Sequence, residues 1–144
     1  FNLRYKKNTI GFQRVFLSKI YPDKIKKINF FRYFVMLKKS LVSVSPFGWG
    51  EINYRDFEAL ISKTVLYKPD LDHIETWPNF FIKNKTYVNF NWDMNNFEKK
   101  LLKLTSNKKK CLKISTAAFQ NYIKFTSGTN AGNLFAKRLI DLFG

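Results

Sequence analysis

The chain has 144 residues, 45% of them hydrophobic and 18% aromatic, which supplies one folded core and excludes a disordered chain. Its one cysteine, Cys111, and one histidine, His73, exclude a disulfide framework and a Cys/His zinc site, so no metal is expected and a reducing, cytoplasmic setting fits. A formal net charge of +16 attracts phosphates of any kind, yet the lysines are scattered rather than gathered on one face.

Lysine is abundant together with asparagine, isoleucine, phenylalanine and tyrosine, the joint bias of an AT-rich coding sequence, so charge alone identifies no partner. No apolar run approaches the ~20 residues of a membrane helix. The nearest, "FFRYFVML", is short and carries Arg32. The chain starts at Phe1 and runs straight into "NLRYKK", which suggests a cut from something longer.

In chain order, residues 5 to 20 read as a helix, with Ile10, Val15, Phe16, Leu17 and Ile20 giving a rough apolar face. "YPDK" at 21 to 24 is a turn, and "KIKKINFF" fits a short strand or a helical entry equally. Residues 30 to 39 are predicted helical on the spacing of Phe31, Phe34, Val35 and Leu37. "LVSVS" (41 to 45) is a short β-branched strand stopped by Pro46 and Gly48. Residues 52 to 62 follow as a helix with Tyr54, Phe57, Leu60 and Ile61 inward. "TVLYK" (64 to 68) is a second strand, 69 to 85 an irregular connection, and "TYVNF" (86 to 90) a third strand. Asp93 is expected to cap a helix of about 94 to 105. Two more helices, near 110 to 126 and 130 to 142, are broken by "TSGTN". Strands alternating with helices predict a single α/β domain over 1 to 144, Rossmann-like and three-layered, with a short parallel sheet and extra C-terminal helices.

Such sheets bind ligands beyond the carboxyl ends of their strands, and "SPFGWG" is a loop at one of those ends. Ser45 closes the first strand, and glycines at 48 and 50 let backbone turn and a ligand approach closely. The helix that follows has a positive amino end suited to an anion. Arg55 lies in its first turns, with the fork that clamps phosphate, and Glu58 is one turn on, where a carboxylate suits a vicinal diol. No Walker loop and no G-x-G-x-x-G fingerprint is present. Glu51, Arg55 and Glu58, at i, i+4 and i+7, equally fit an exposed ion-pair stripe worth a few tenths of a kcal/mol per pair.

"SPFGWGEINYRDFEAL…VLYKPDLDHIETWPNFF…TYVNFNWD" resembles the C-terminal, donor-binding half of GT-B glycosyltransferases, closest to the bacterial and viral family-one type, and is similar to the exostosin-like pattern. The resemblance covers about residues 30 to 105. It implies transfer of a sugar from a UDP- or GDP-sugar, the donor being a substrate with no further cofactor, to a glycan or lipid-linked acceptor. Residue by residue it implies that Glu58 holds the ribose hydroxyls, that Arg55 contacts the diphosphate with Lys68 adding charge nearby, and that the Gly48–Trp49–Gly50 backbone approaches phosphates or sugar. Glu51 resembles the acid that touches the transferred sugar, with Arg55 stabilising the departing diphosphate. In two places this chain departs from the pattern. The two acids are seven apart where relatives have eight, and Lys63 stands where many relatives end the helix with glycine.

The N-terminal acceptor domain of such an enzyme is missing from this length, so the isolated chain is expected to need it for turnover. Association with a membrane surface suits transferases that build lipids or polysaccharides. His73, Glu75 and Trp77 lie in the long irregular segment, His73 read as structural, Trp77-Pro78 as a packing anchor, and Trp92-Asp93 as a helix entry. Two other readings stay open. One is a basic nucleic-acid-binding module, disfavoured by the lack of a stacking motif or basic helix. The other is a non-catalytic remnant of the transferase fold.

Overall fold

A computed structural model describes residues 28–48 and 50–144. The helix expected over 5 to 20 and the turn at 21 to 24 lie outside the described residues, as does Trp49. The elements are α1 (Phe30–Lys39), β1 (Val42–Val44), α2 (Tyr54–Ile61), β2 (Val65–Pro69), β3 (Tyr87–Phe90), α3 (Phe97–Thr105), α4 (Lys108–Thr126) and α5 (Gly128–Phe143). The three strands form one parallel sheet in the order β1-β2-β3, with Val42 opposite Val65 and Leu66 opposite Tyr87. The fold is thus mixed α/β and Rossmann-like.

β2 is the central strand, and all five of its residues are buried. Period-2 alternation therefore feeds two cores rather than one core and a wet face. Leu66 and Tyr87 pack with Ala59 and Leu60 of α2 and with Ala118 of α4. Val65, Tyr67, Val88 and Phe90 pack on the other face with Leu104 of α3 and with Cys111 and Ile114 of α4. α4 contributes to both clusters, and its Phe119 lies close to the start of β2. There the Lys63 ammonium lies 4.4 Å from the Phe119 ring centre. The Cys111 thiol is buried against the Leu104 carbonyl at 3.2 Å, and burial pushes its pKa up.

The crossover from β1 to β2 is the helix α2, but that from β2 to β3 is not helical. Residues 70–86 cover the sheet instead with side chains of their own, Leu71 and Phe81, which complete the first cluster. Thr86 fixes the segment by accepting from the Ile82 N–H at 2.7 Å and donating to the Phe80 carbonyl at 2.6 Å. α1 is capped by Asn29, whose side chain accepts from the Arg32 N–H at 2.8 Å. It is tied to the sheet where the Thr64 hydroxyl donates to the Leu37 carbonyl at 2.7 Å.

Several boundaries differ from those expected by about one to three residues. α3 begins at Phe97, not at 94, because Met94 has a left-handed φ of 60° that no helix can include. Asp93 accepts instead from the Asn95 N–H at 3.1 Å, closing the turn ahead of the helix. α4 and α5 are parted by Ser127 alone, in an extended conformation. Among the described residues no helix is long and apolar enough to cross a membrane.

α2 ends in a Schellman pattern, the Thr64 N–H reaching the Ala59 carbonyl at 3.0 Å and the Lys63 N–H the Leu60 carbonyl at 3.2 Å. The pattern demands a left-handed residue, and Lys63 supplies it at φ 55°. The strain of about 1–2 kcal/mol is partly offset by the cation–π contact with Phe119, worth about 0.5–1 kcal/mol. Lys63→Gly should therefore change stability by no more than about 1 kcal/mol in urea unfolding. Lys63→Val should cost more than about 1–2 kcal/mol, because a β-branched residue tolerates this φ worst.

Candidate functional site

The carboxyl end of the sheet is organised by a charge pair with no exposure to solvent. The Lys68 ammonium meets the Asp56 carboxylate at 2.6 Å, both side chains being 0% exposed. Alternation along β2 turns Lys68 to the same face as Leu66, beneath the amino end of α2. Asp56 is the third residue of that helix, and its other oxygen accepts from the Ser45 hydroxyl at 2.6 Å. The same carboxylate accepts from the Asn53 N–H at 3.0 Å, half of a capping box. Lys68 also donates to the Glu51 carbonyl at 2.5 Å, and the rings of Phe47 and Phe81 lie 5.6 and 5.7 Å from its ammonium. Burial pulls the Lys68 pKa below the ordinary lysine value, against the opposing pull of Asp56. The loop from Ser45 to Asn53 is therefore pinned to the sheet at both ends and at Glu51.

Outside this network lies a polar and aromatic surface. Glu51 pairs with His73 at 2.9 Å, the two side chains being 41% and 47% exposed. Phe47 stacks on Trp92 with ring centres 4.0 Å apart and planes at 22°, and His73 stands 5.4 Å from Trp92. Just past β2, Asp70 accepts from Lys83 at 2.6 Å and from the Asn89 amide at 2.6 Å, while Lys83 also pairs with Asp72. Burial works to raise the Asp70 pKa, but the bonds from Lys83, the Asp72 N–H and Asn89 outweigh it and hold the carboxyl below the usual range.

The residues singled out in sequence fall into separate groups. Ser45 and Lys68 are buried inside the network and face no solvent. Glu51 is at the exposed edge. Within the glycine loop the Gly48 N–H reaches the Gly50 carbonyl at 3.3 Å. A Cβ added at Gly50 would meet only the Ile52 carbonyl at 3.7 Å, so the folded loop itself has room for a side chain there. The amino end of α2 is less open to an anion than expected, because the Arg55 N–H bonds the Asn53 side chain at 3.0 Å. Glu58 turns toward α1, accepting from the Tyr33 hydroxyl at 2.8 Å. Among the described residues no ion pair joins Glu51, Arg55 and Glu58.

Beside Glu58 is an open, mostly aromatic groove of about 520 Å³ between α1, α2 and α4, lined by Phe30, Phe34, Tyr54, Phe57 and Phe80 among others. Its lining includes none of Glu51, His73 and Trp92, so this groove and the polar carboxyl edge are different places. The carboxyl edge carries the convergent polar groups that this groove, with one carboxylate, lacks.

Sequence reasoning missed Asp56, Tyr33 and the Phe47–Trp92 stack. Asp56 was signalled by the Asn-x-x-Asp spacing of a capping box and by an alternation that forces Lys68 inward and so requires an acid. The other two depend on long-range contacts with no local signal. Among the described residues no group of three His, Cys, Asp or Glu side chains is placed to hold a metal ion.

Comparison of the chain with protein-family models, with curated proteins and with solved structures finds no match.

Removing one member of the buried pair leaves the other charge uncompensated, at a cost of about 3–5 kcal/mol. Lys68→Met and Asp56→Asn should each destabilise by about that amount in urea unfolding. The double variant should be well short of the sum of the two. Additive costs would mean that the two side chains are not coupled.

Proposed function

We propose that the chain is the donor-binding half of a glycosyltransferase and holds a nucleotide-diphosphate sugar at the carboxyl edge of its sheet. The observation that carries this reading is the buried Lys68–Asp56–Ser45 network, which fixes the glycine loop and Glu51 where a parallel α/β sheet presents its ligand. The resemblance of the 43–70 stretch to donor-binding domains agrees with that position. It supplies the chemistry, transfer of a hexosyl group from UDP- or GDP-sugar to a glycan or lipid-linked acceptor.

Under this reading Lys68 acts through structure. Its ammonium is engaged by Asp56 and the Glu51 carbonyl, so its positive charge sets the loop rather than meeting the diphosphate. Arg55 is half-buried on α2 beside Tyr33 and Glu58, so the donor reaches from the carboxyl edge toward that side of α2, where Arg55 meets the leaving phosphate as charge develops on it. For Glu58 to take ribose hydroxyls, the Tyr33 hydroxyl must be exchanged for them, a swap of one hydrogen-bond donor for two. Glu51 accepts from the sugar. A second reading, a non-catalytic remnant of the same fold, is favoured by the internal engagement of Lys68, Lys83 and Glu58.

A thermal-shift series with UDP, GDP, ADP and CMP separates the two. At a hundredfold excess over Kd a true ligand adds about 2.7 kcal/mol of stability, several degrees in Tm for a domain of this size. One nucleoside diphosphate should give that shift. Arg55→Ala should abolish it, and Tyr33→Phe, which removes the competing donor from Glu58, should keep it. A folded protein that shifts with none of the four supports the remnant.

A further inference from the structure

We propose that the Phe47–Trp92 stack, flanked by Glu51 and His73, is a saccharide-binding platform that takes a pyranose ring against the indole. This rests on the donor-site reading for one point only, the identity of the ring as the donor's hexose.

Trp92 lies two residues past the end of β3 and is 47% exposed although Phe47 covers one of its sides at 4.0 Å. A tryptophan placed for core packing would bury the rest of its surface; this one is propped from below and presents the remainder to solvent. A pyranose has an apolar C–H face whose hydrogens carry partial positive charge, the complement of the negative π-face of indole. Its rim of hydroxyls needs fixed partners, and these stand beside the stack. His73 is 5.4 Å from Trp92 by ring centres and bonded to Glu51 at 2.9 Å. With a neutral His73 donating from Nε2 to Glu51, its Nδ1 and the second Glu51 oxygen are acceptors on side chains 47% and 41% exposed, a pair suited to neighbouring hydroxyls.

The platform is held rigidly on both sides. Glu51 is fixed through its carbonyl by the buried Lys68. The turn carrying Trp92 is closed by the Asn91 N–H on the Asn96 side chain at 2.9 Å and by the Asn91 amide on Asn95 at 2.9 Å. Pre-organisation of this kind matters for sugars, whose binding is weak and whose hydroxyls are costly to desolvate. A carboxylate beside the stack favours a neutral polyol over a phosphate, which it would repel, and a diol over a bare nucleobase.

The test is saturation-transfer NMR on the full chain with methyl glucoside, methyl mannoside, methyl N-acetylglucosaminide and uridine, each at millimolar concentration, with UDP titrated separately. At least one hexoside should show saturation of its ring C–H protons. Trp92→Ala should weaken that binding by about tenfold, Trp92→Phe should retain most of it, and Glu51→Gln should reduce it with the fold unchanged. Hexoside signals that are absent, or equal in wild type and Trp92→Ala, overturn the platform, as does Trp92-dependent saturation of uridine alone. If hexosides need Trp92 but UDP does not bind, the platform stands and the donor-site reading falls. If UDP binds and hexosides do not need Trp92, the reverse holds.

Discussion

A lysine ammonium and an aspartate carboxylate meet 2.6 Å apart with neither exposed to solvent, and the carboxyl end of the sheet is arranged around them. Each charge buried alone would cost several kcal/mol. The fold therefore has to keep β2, which carries Lys68, and α2, which carries Asp56, in one relative position. Ser45 and the Glu51 carbonyl complete the hydrogen bonding of the pair, and so draw the loop between β1 and α2 into the same constraint. A buried ion pair contributes little net stability compared with apolar side chains of equal volume. Its consequence here is geometric: a glycine-containing loop has three anchors, at Ser45, Glu51 and Asn53.

That constraint separates two kinds of surface. On the α2 side, an aromatic groove between α1, α2 and α4 takes in Glu58 and Tyr33. At the carboxyl edge, Glu51, His73, Phe47 and Trp92 converge from three different connections. Lysines 68 and 83 are both engaged by carboxylates at or near this edge. Arg55 lies on the other side, beside Tyr33 and Glu58, so an anionic ligand at this edge has to be met by backbone N–H groups or by exchange of an existing pair.

Much of the architecture was legible in the sequence because its signals are local. The β-branched runs before Pro46 and Pro69 marked β1 and β2, and apolar spacing marked α1 and α2. Asp93 misled because a good capping residue is also a good turn residue, and the left-handed Met94 after it decides between the two. The site was less legible. Glu51, Arg55 and Glu58 share a spacing that fits one helix face, but Glu51 precedes the helix, and pairs with His73, 22 positions away, while Glu58 is engaged by Tyr33, 25 positions earlier. Partners at such separations leave no periodicity to read. Lys68 looked like a ligand contact because a lysine ending a strand usually reaches solvent; the helix packed over that face turns it into an internal counter-ion.

The central claim, that the buried pair holds the glycine loop in place, is tested most directly by amide hydrogen exchange in wild type and in Lys68→Met. Protection should fall selectively at Asn53, whose N–H bonds the Asp56 carboxylate, and at Asp56, whose N–H bonds the Asn53 carbonyl in the cap. The amides of β3 and α3 should keep theirs. Uniform loss across the sheet, or unchanged protection at Asn53 and Asp56, would contradict it and leave the loop's position to apolar packing alone.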